Sequence, residues 1–258
     1  MMINKKIIIF TIAFFILIFI SVFLYVIINK TLENNDQSLV FKVNKISLYS
    51  SSAITDNSEN GLLENLDIHQ FTDIAIYIDN TSYIKDLTPK NTIKELSIYN
   101  IKLDTNSTSD TGKVFLAYKN PLLYGKFEQL LSATEKINFR IIKSNDENVN
   151  ANYNSPVFYT DCSNPISLGY LNLGIVKNYN ITEKIKNVSF DGNILKQADI
   201  NIQDLKCTLS FTIKIKNNLG EEFVCDISFN NIAGDSSIYS GQYIKEFNSE
   251  SLYNFSKI

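Results

Sequence analysis

One histidine, one arginine and no tryptophan occur in the 258 residues, and each scarcity closes off chemistry. A lone imidazole, His69, cannot build a multi-histidine metal site. It also precedes every plausible serine nucleophile, which excludes a triad in the chain order Ser, Asp, His. Arg140 is the single arginine and the formal net charge is −3. A nucleic-acid surface needs clustered Lys/Arg, whereas the lysines here alternate with serine, threonine and acids, so no nucleic-acid partner is expected. There are three cysteines and no C-x-x-C pair, which removes the usual zinc spacing. The first of them, Cys162, lies too far along the chain to carry a lipid at an N-terminal processing site.

The longest feature present is apolar. Residues 7–28 are interrupted only by Thr11 and Ser21, and as a helix they would span roughly 33 Å against a hydrocarbon core of about 30 Å. The run is longer than a signal-peptide core and leaves through Val26, Ile27, Ile28, Asn29 and Lys30 without a small-residue cleavage step. It also lacks the glycine and glutamate of a pilin-type start. The sequence therefore predicts an uncleaved transmembrane helix over 7–28 and a cytoplasmic tail over 1–6. Lys5 and Lys6 keep that tail inside by the positive-inside tendency. The remainder is expected outside the membrane, with 22 basic and 27 acidic residues.

Residues 29–38 read as a polar stalk. Beyond it the dominant signal is alternation with a period of two, the mark of strands with one buried face. It is clearest where Leu205, Cys207, Leu209, Phe211, Ile213 and Ile215 alternate with Lys206, Thr208, Ser210, Thr212, Lys214 and Lys216. A turn at 217–220 and a return strand carrying Phe223, Cys225, Ile227 and Phe229 complete a hairpin. Less regular strands are predicted at 41–49, 74–78, 93–103, 114–118, 137–142 and 166–176. In the first, parity switches between Val43 and Ile46, which predicts a bulge near Asn44. Helix is expected only over 122–136, after Pro121, with one turn near 61–67. The fold class is thus an all-β ectodomain, an antiparallel β-sandwich. The polar stretch 144–155 reads either as a long loop within one domain or, the favoured division, as a linker between two immunoglobulin-like sandwiches, 39–143 and 156–258.

Motif fragments are weak. Asp110, Thr111 and Gly112 spell the triplet of aspartic proteases, but follow a polar run instead of an apolar strand. Gly234, Asp235 and Ser236 resemble the start of a GDS esterase block, a family whose histidine comes late in the chain. Asp104, Asn106, Thr108 and Asp110, and again Asp146, Asn148, Asn150 and Asn152, alternate oxygens as a calcium loop does. Both lack the glycine at position 6 and the closing glutamate, since Ser109 and Phe115, or Ala151 and Val157, stand there. No catalytic, metal or cofactor-binding residue is assigned, and His69 reads as a surface or capping residue.

Facing the apolar positions across the hairpin pairs Phe211 with Cys225 and Cys207 with Phe229, so the two cysteines stand about 14 Å apart along the strands. A disulfide between them is not expected, because Cα atoms must lie within about 7 Å. Cys162 should be the most accessible of the three.

These observations predict a membrane-anchored extracytoplasmic binding or scaffolding module at the cell envelope, with no enzymatic chemistry and no cofactor. Its partners would be the membrane, through the N-terminal helix, and an envelope protein or glycan. The alternative is a carboxylate-only enzyme such as a glycan hydrolase, for which two acids suffice.

Overall fold

The computed structural model describes residues 18, 20–25, 40–59, 64–80, 87–105, 113–119, 127–131, 136–144, 155–181, 193–205, 207–230, 243–248 and 253–258. Two compact units are present, residues 1–40 and residues 41–258. In the first, residues 18 and 20–25 are helical, and Ile18, Ile20, Val22, Phe23, Leu24 and Tyr25 are all exposed. Among the described residues no helix is long and apolar enough to cross a membrane. The rest of the 7–28 run, the tail 1–6 and the stalk 29–38 lie outside the described residues.

The second unit is mostly β, with a short α-helix at Asn193–Gln197 and a 3-10 turn at Ile202–Leu205 that the sequence pattern did not predict. Its strands are β1 (Lys42–Asp56), β2 (Leu66–Asp79), β3 (Ile93–Thr105), β4 (Lys113–Lys119), β5 (Phe127–Leu131), β6 (Ile137–Ile142), β7 (Val157–Tyr159), β8 (Ile166–Tyr179), β9 (Cys207–Asn217), β10 (Glu222–Asn230), β11 (Tyr243–Asn248) and β12 (Ser256–Lys257). They form two six-stranded sheets, β11-β1-β2-β8-β4-β5 and β12-β10-β9-β3-β6-β7. Pairing is antiparallel except for β6 with β7, which is parallel.

The division into two sandwiches at 144–155 is replaced by one interleaved unit. β2 from the first half pairs with β8 from the second, and β3 pairs with β9 over ten register positions. Each sheet therefore needs strands from both sides of that segment, and neither half could close a core alone. The predicted helix over 122–136 is also corrected. Residues 127–131 are strand β5, paired with β4 from Leu116↔Leu131 to Lys119↔Phe127, so a neighbouring ladder overrides a weak local pattern. The predicted bulge is present, with the β1–β2 register slipping between Val43 and Lys45 around Asn44.

Alternation sets the two inner faces. From β2, Leu66, Ile68, Gln70, Thr72, Ile74, Ile76 and Ile78 are buried while the alternate residues are only partly covered. From β9, Cys207, Leu209, Phe211, Ile213 and Ile215 are buried. Full burial of one such aliphatic or aromatic side chain contributes about 1.5–3 kcal/mol. The layers meet directly, since Tyr170 of β8 hydrogen-bonds Cys207 of β9. The Phe41 ring, just before β1, stands edge-on to Phe223 of β10 at 5.3 Å between centroids.

The C-terminal residues lace the two sheets together at this end. Val43 N–H donates to Tyr253 O at 3.0 Å, and Phe255 N–H donates to Phe41 O at 3.4 Å. β12 then pairs with Phe223 and Val224 of β10, while the Phe255 ring packs on Phe41 at 6.3 Å. Lys257 closes on Glu221 at 2.6 Å.

Candidate functional site

The outer face of the second sheet carries the polar half of the alternation, and a groove of about 350 Å³ is cut into it. Its walls come from β3, β6, β9 and β10. Two local irregularities open it. The β3–β6 ladder holds only from Leu96↔Phe139 to Ile98↔Ile137; from Arg140 onward β6 pairs with β7 instead. The β3–β9 register also slips between Ile93 and Glu95. A bulge of this kind places adjacent residues on one side of a sheet, and Lys94 and Glu95 both line the groove.

Lys214 of β9 meets Glu222 of β10 at 2.8 Å, and Lys216 meets Glu95 of β3 at 3.6 Å. The hydrogen bond from Lys214 holds the Glu222 carboxyl below its ordinary range and raises the lysine correspondingly. Lys94 and Lys136, both exposed, complete the cationic rim. Ser97 and Asn138 stand opposite each other in register across β3 and β6. Leu96, Phe139 and Ile141 also line it, the first two buried and Ile141 half-buried. The Phe139 ring itself is turned edge-on to Phe158 at 6.4 Å, so it presents no open stacking face.

The arrangement suits binding better than acid–base chemistry. Among the described residues, Glu95 and Glu222 are the only carboxylates lining the groove, and each is ion-paired with a lysine. A general acid needs a raised carboxyl pKa, and Glu222 is shifted the other way. Among the described residues no group of three His, Cys, Asp or Glu side chains is placed to hold a metal ion.

The motif residues are placed as follows. Residues 106–112, 145–154 and 231–242, which include Asp110–Gly112, the second oxygen-rich loop and Gly234–Ser236, lie outside the described residues. Asp104 is an exposed residue of β3. His69, on the outer face of β2, bridges two strands: its Nδ1 accepts the Gly174 N–H at 2.8 Å and its Nε2 lies 2.9 Å from Thr55 Oγ1. All three cysteines are free. The hairpin register differs from expectation by two residues, with Cys225 opposite Ile213 and Phe229 opposite Leu209. The turn is centred one residue later than expected, at Leu219. Asn217 N–H bonds to Glu221 O at 3.0 Å and Gly220 takes a φ of 85°, a value glycine adopts without strain. Cys162 is half-buried, with φ 61° and its thiol pushed well up by burial first and by Asp161 and Asp79 next.

The groove was not legible in the sequence. Lys214 and Lys216 read as an ordinary solvated face, and nothing local places Lys94 or Lys136 beside them. Comparison with protein-family models, with curated proteins and with solved structures finds no match to this chain.

Proposed function

We propose that this chain is a membrane-anchored extracytoplasmic module that binds or scaffolds an envelope component through its β-sandwich, without chemistry of its own. The observation that carries the reading is the apolar run 7–28, preceded by Lys5 and Lys6 and followed by an all-β body with an acidic balance. The exposed apolar side chains at 18, 20 and 22–25 are consistent with a segment that would be covered by lipid. The partner would be an envelope protein or glycan, met by the polar outer face that bears the lysine-rimmed groove. The hydrolase alternative has less support, because both groove carboxylates are ion-paired.

The test is a membrane topology experiment on the full chain. After alkaline carbonate extraction the protein should stay with the membrane. Protease added to wall-stripped intact cells should digest the sandwich, and deletion of residues 7–28 should release it. Recovery of the full chain as a soluble protein, or protection of the body until the membrane is opened, overturns the reading.

A further inference from the structure

We infer that the groove on the outer face of the second sheet is a binding site for an acidic saccharide, a sugar chain bearing carboxylate or phosphate groups. The inference deepens the binding-module reading and rests on it for its biological setting, though its test reads the groove alone.

Charge decides the sign of the ligand. Among the described residues, four ammonium groups, Lys94, Lys136, Lys214 and Lys216, surround the groove against two carboxylates, Glu95 and Glu222. Both carboxylates are paired internally, with Lys216 and Lys214, while Lys94 and Lys136 have no ion-pair partner among the described residues. The groove therefore carries two uncompensated positive charges on a chain whose net charge is −3. An anion is drawn to such a patch, and a cation is repelled.

The remaining lining selects a sugar. Ser97 and Asn138, side by side in register, both line the groove and carry neutral donors and acceptors suited to hydroxyl groups. Of the apolar residues that line it, Leu96 and Phe139 are buried, which leaves half-buried Ile141 to meet the C–H face of a ring. Base recognition on single-stranded nucleic acid uses exposed aromatic platforms, and the aromatic ring here is engaged with Phe158. A volume of about 350 Å³ lies at the small end of ligand sites, which fits a short stretch of a chain running through an open groove.

The experiment titrates the full chain, purified in detergent, with an oligomer of galacturonic acid at low ionic strength. A neutral galactose oligomer of the same length and inorganic phosphate serve as comparisons. The acidic oligomer should bind with an affinity that falls steeply with salt, and the neutral oligomer and phosphate should bind at least tenfold more weakly. Lys94→Glu with Lys136→Glu should lower affinity for the acidic oligomer tenfold or more and flatten the salt dependence, with Lys94→Gln and Lys136→Gln intermediate. Both positions are exposed, so an unchanged circular dichroism spectrum should accompany the loss. Equal binding of the neutral oligomer, phosphate binding as tight as the oligomer's, indifference to the charge reversals, or no binding of the acidic oligomer at millimolar concentration each overturn the assignment. A failed topology experiment would leave this titration standing, and a failed titration would leave the anchor standing.

Discussion

His69 Nδ1 accepts the backbone N–H of Gly174 at 2.8 Å, and this bond fixes the imidazole as the neutral tautomer whose Nε2–H points at Thr55. The contact exists because β8 bulges opposite it. Gln70 pairs with Asn172 and Ile68 with Val176, so one β2 residue faces three of β8, and Gly174 takes φ 68° to turn its N–H toward the ring. Burial lowers the His69 pKa below its usual value, against a smaller opposing pull from Asp67. The unfolded chain therefore binds the proton first. The His69 contribution to stability is fully present above about pH 6.5 and is lost as pH falls through the lower folded value. Denaturation midpoints measured between pH 7.5 and 5 should fall with pH, and His69→Gln, whose amide oxygen can accept the same N–H without titrating, should flatten that slope. A slope unchanged in the variant would place the titrating group elsewhere.

Cys225 faces Ile213, six residues along β9 from Cys207. At about 3.4 Å per residue the two stand some 20 Å apart along the strands, beyond the reach of any disulfide. Burial and the neighbouring Asp226 push the Cys225 thiol up to about 12, which suppresses the reactive thiolate at neutral pH. Native protein should react slowly with a thiol reagent at Cys207 and Cys225, and all three cysteines should label in denaturant without prior reduction. Peptide mapping that recovers a link between Cys207 and Cys225 would contradict the hairpin register.

What could be read from the sequence was whatever leaves a local trace. The alternation from Cys207 to Ile215 identifies both the strand and its buried face, and the parity switch between Val43 and Ile46 marks the bulge at Asn44. Domain number left no such trace. The partnership of Ser97 with Lys214, or of Ile74 with Leu168, joins residues about a hundred positions apart, and any run of alternating residues could serve either partner. The polar stretch 144–155 imitates a linker because loops and linkers exclude apolar residues for the same reason. The groove depends on a slipped register at Ile93 and on β6 leaving β3 after Phe139, both properties of pairing. Its lysines looked like the exposed half of an ordinary sheet.

Phe211 is 3% exposed on the inner face of β9, opposite Ile227. Phe211→Ala should lower stability by about 3–5 kcal/mol through lost burial and a residual cavity. Ser210, one residue away on the outer face opposite Ser228, should tolerate alanine within about 0.5 kcal/mol. Chemical denaturation of the two variants reads the difference. Equal losses would mean that the inner and outer faces of β9 are not separated as described.

Asn217 and Asn172 are both fully buried, yet among the described residues only Asn217 finds partners for its amide. The Asn217 amide donates to Lys90 O at 2.9 Å and to Glu221 Oε2 at 2.8 Å, and its oxygen accepts from Leu219 N–H at 3.0 Å and Glu221 N–H at 2.9 Å. It thereby ties the β9–β10 turn to the loop before β3. Both amide atoms of Asn172 on β8, and the Oε1 of its register neighbour Gln70 on β2, have no partner among the described residues. A buried polar group without a partner costs about 1–3 kcal/mol, whereas a paired one returns a modest net gain. Asn217→Ala should therefore destabilise the protein by roughly 1–3 kcal/mol, since it strands the backbone donors of the turn. Asn172→Leu, close in volume and free of polar atoms, should leave stability unchanged or raise it. Thermal midpoints of the two variants against the parent check both signs, and a large loss in Asn172→Leu would reveal that the amide has a partner stabilising the inner face of β8.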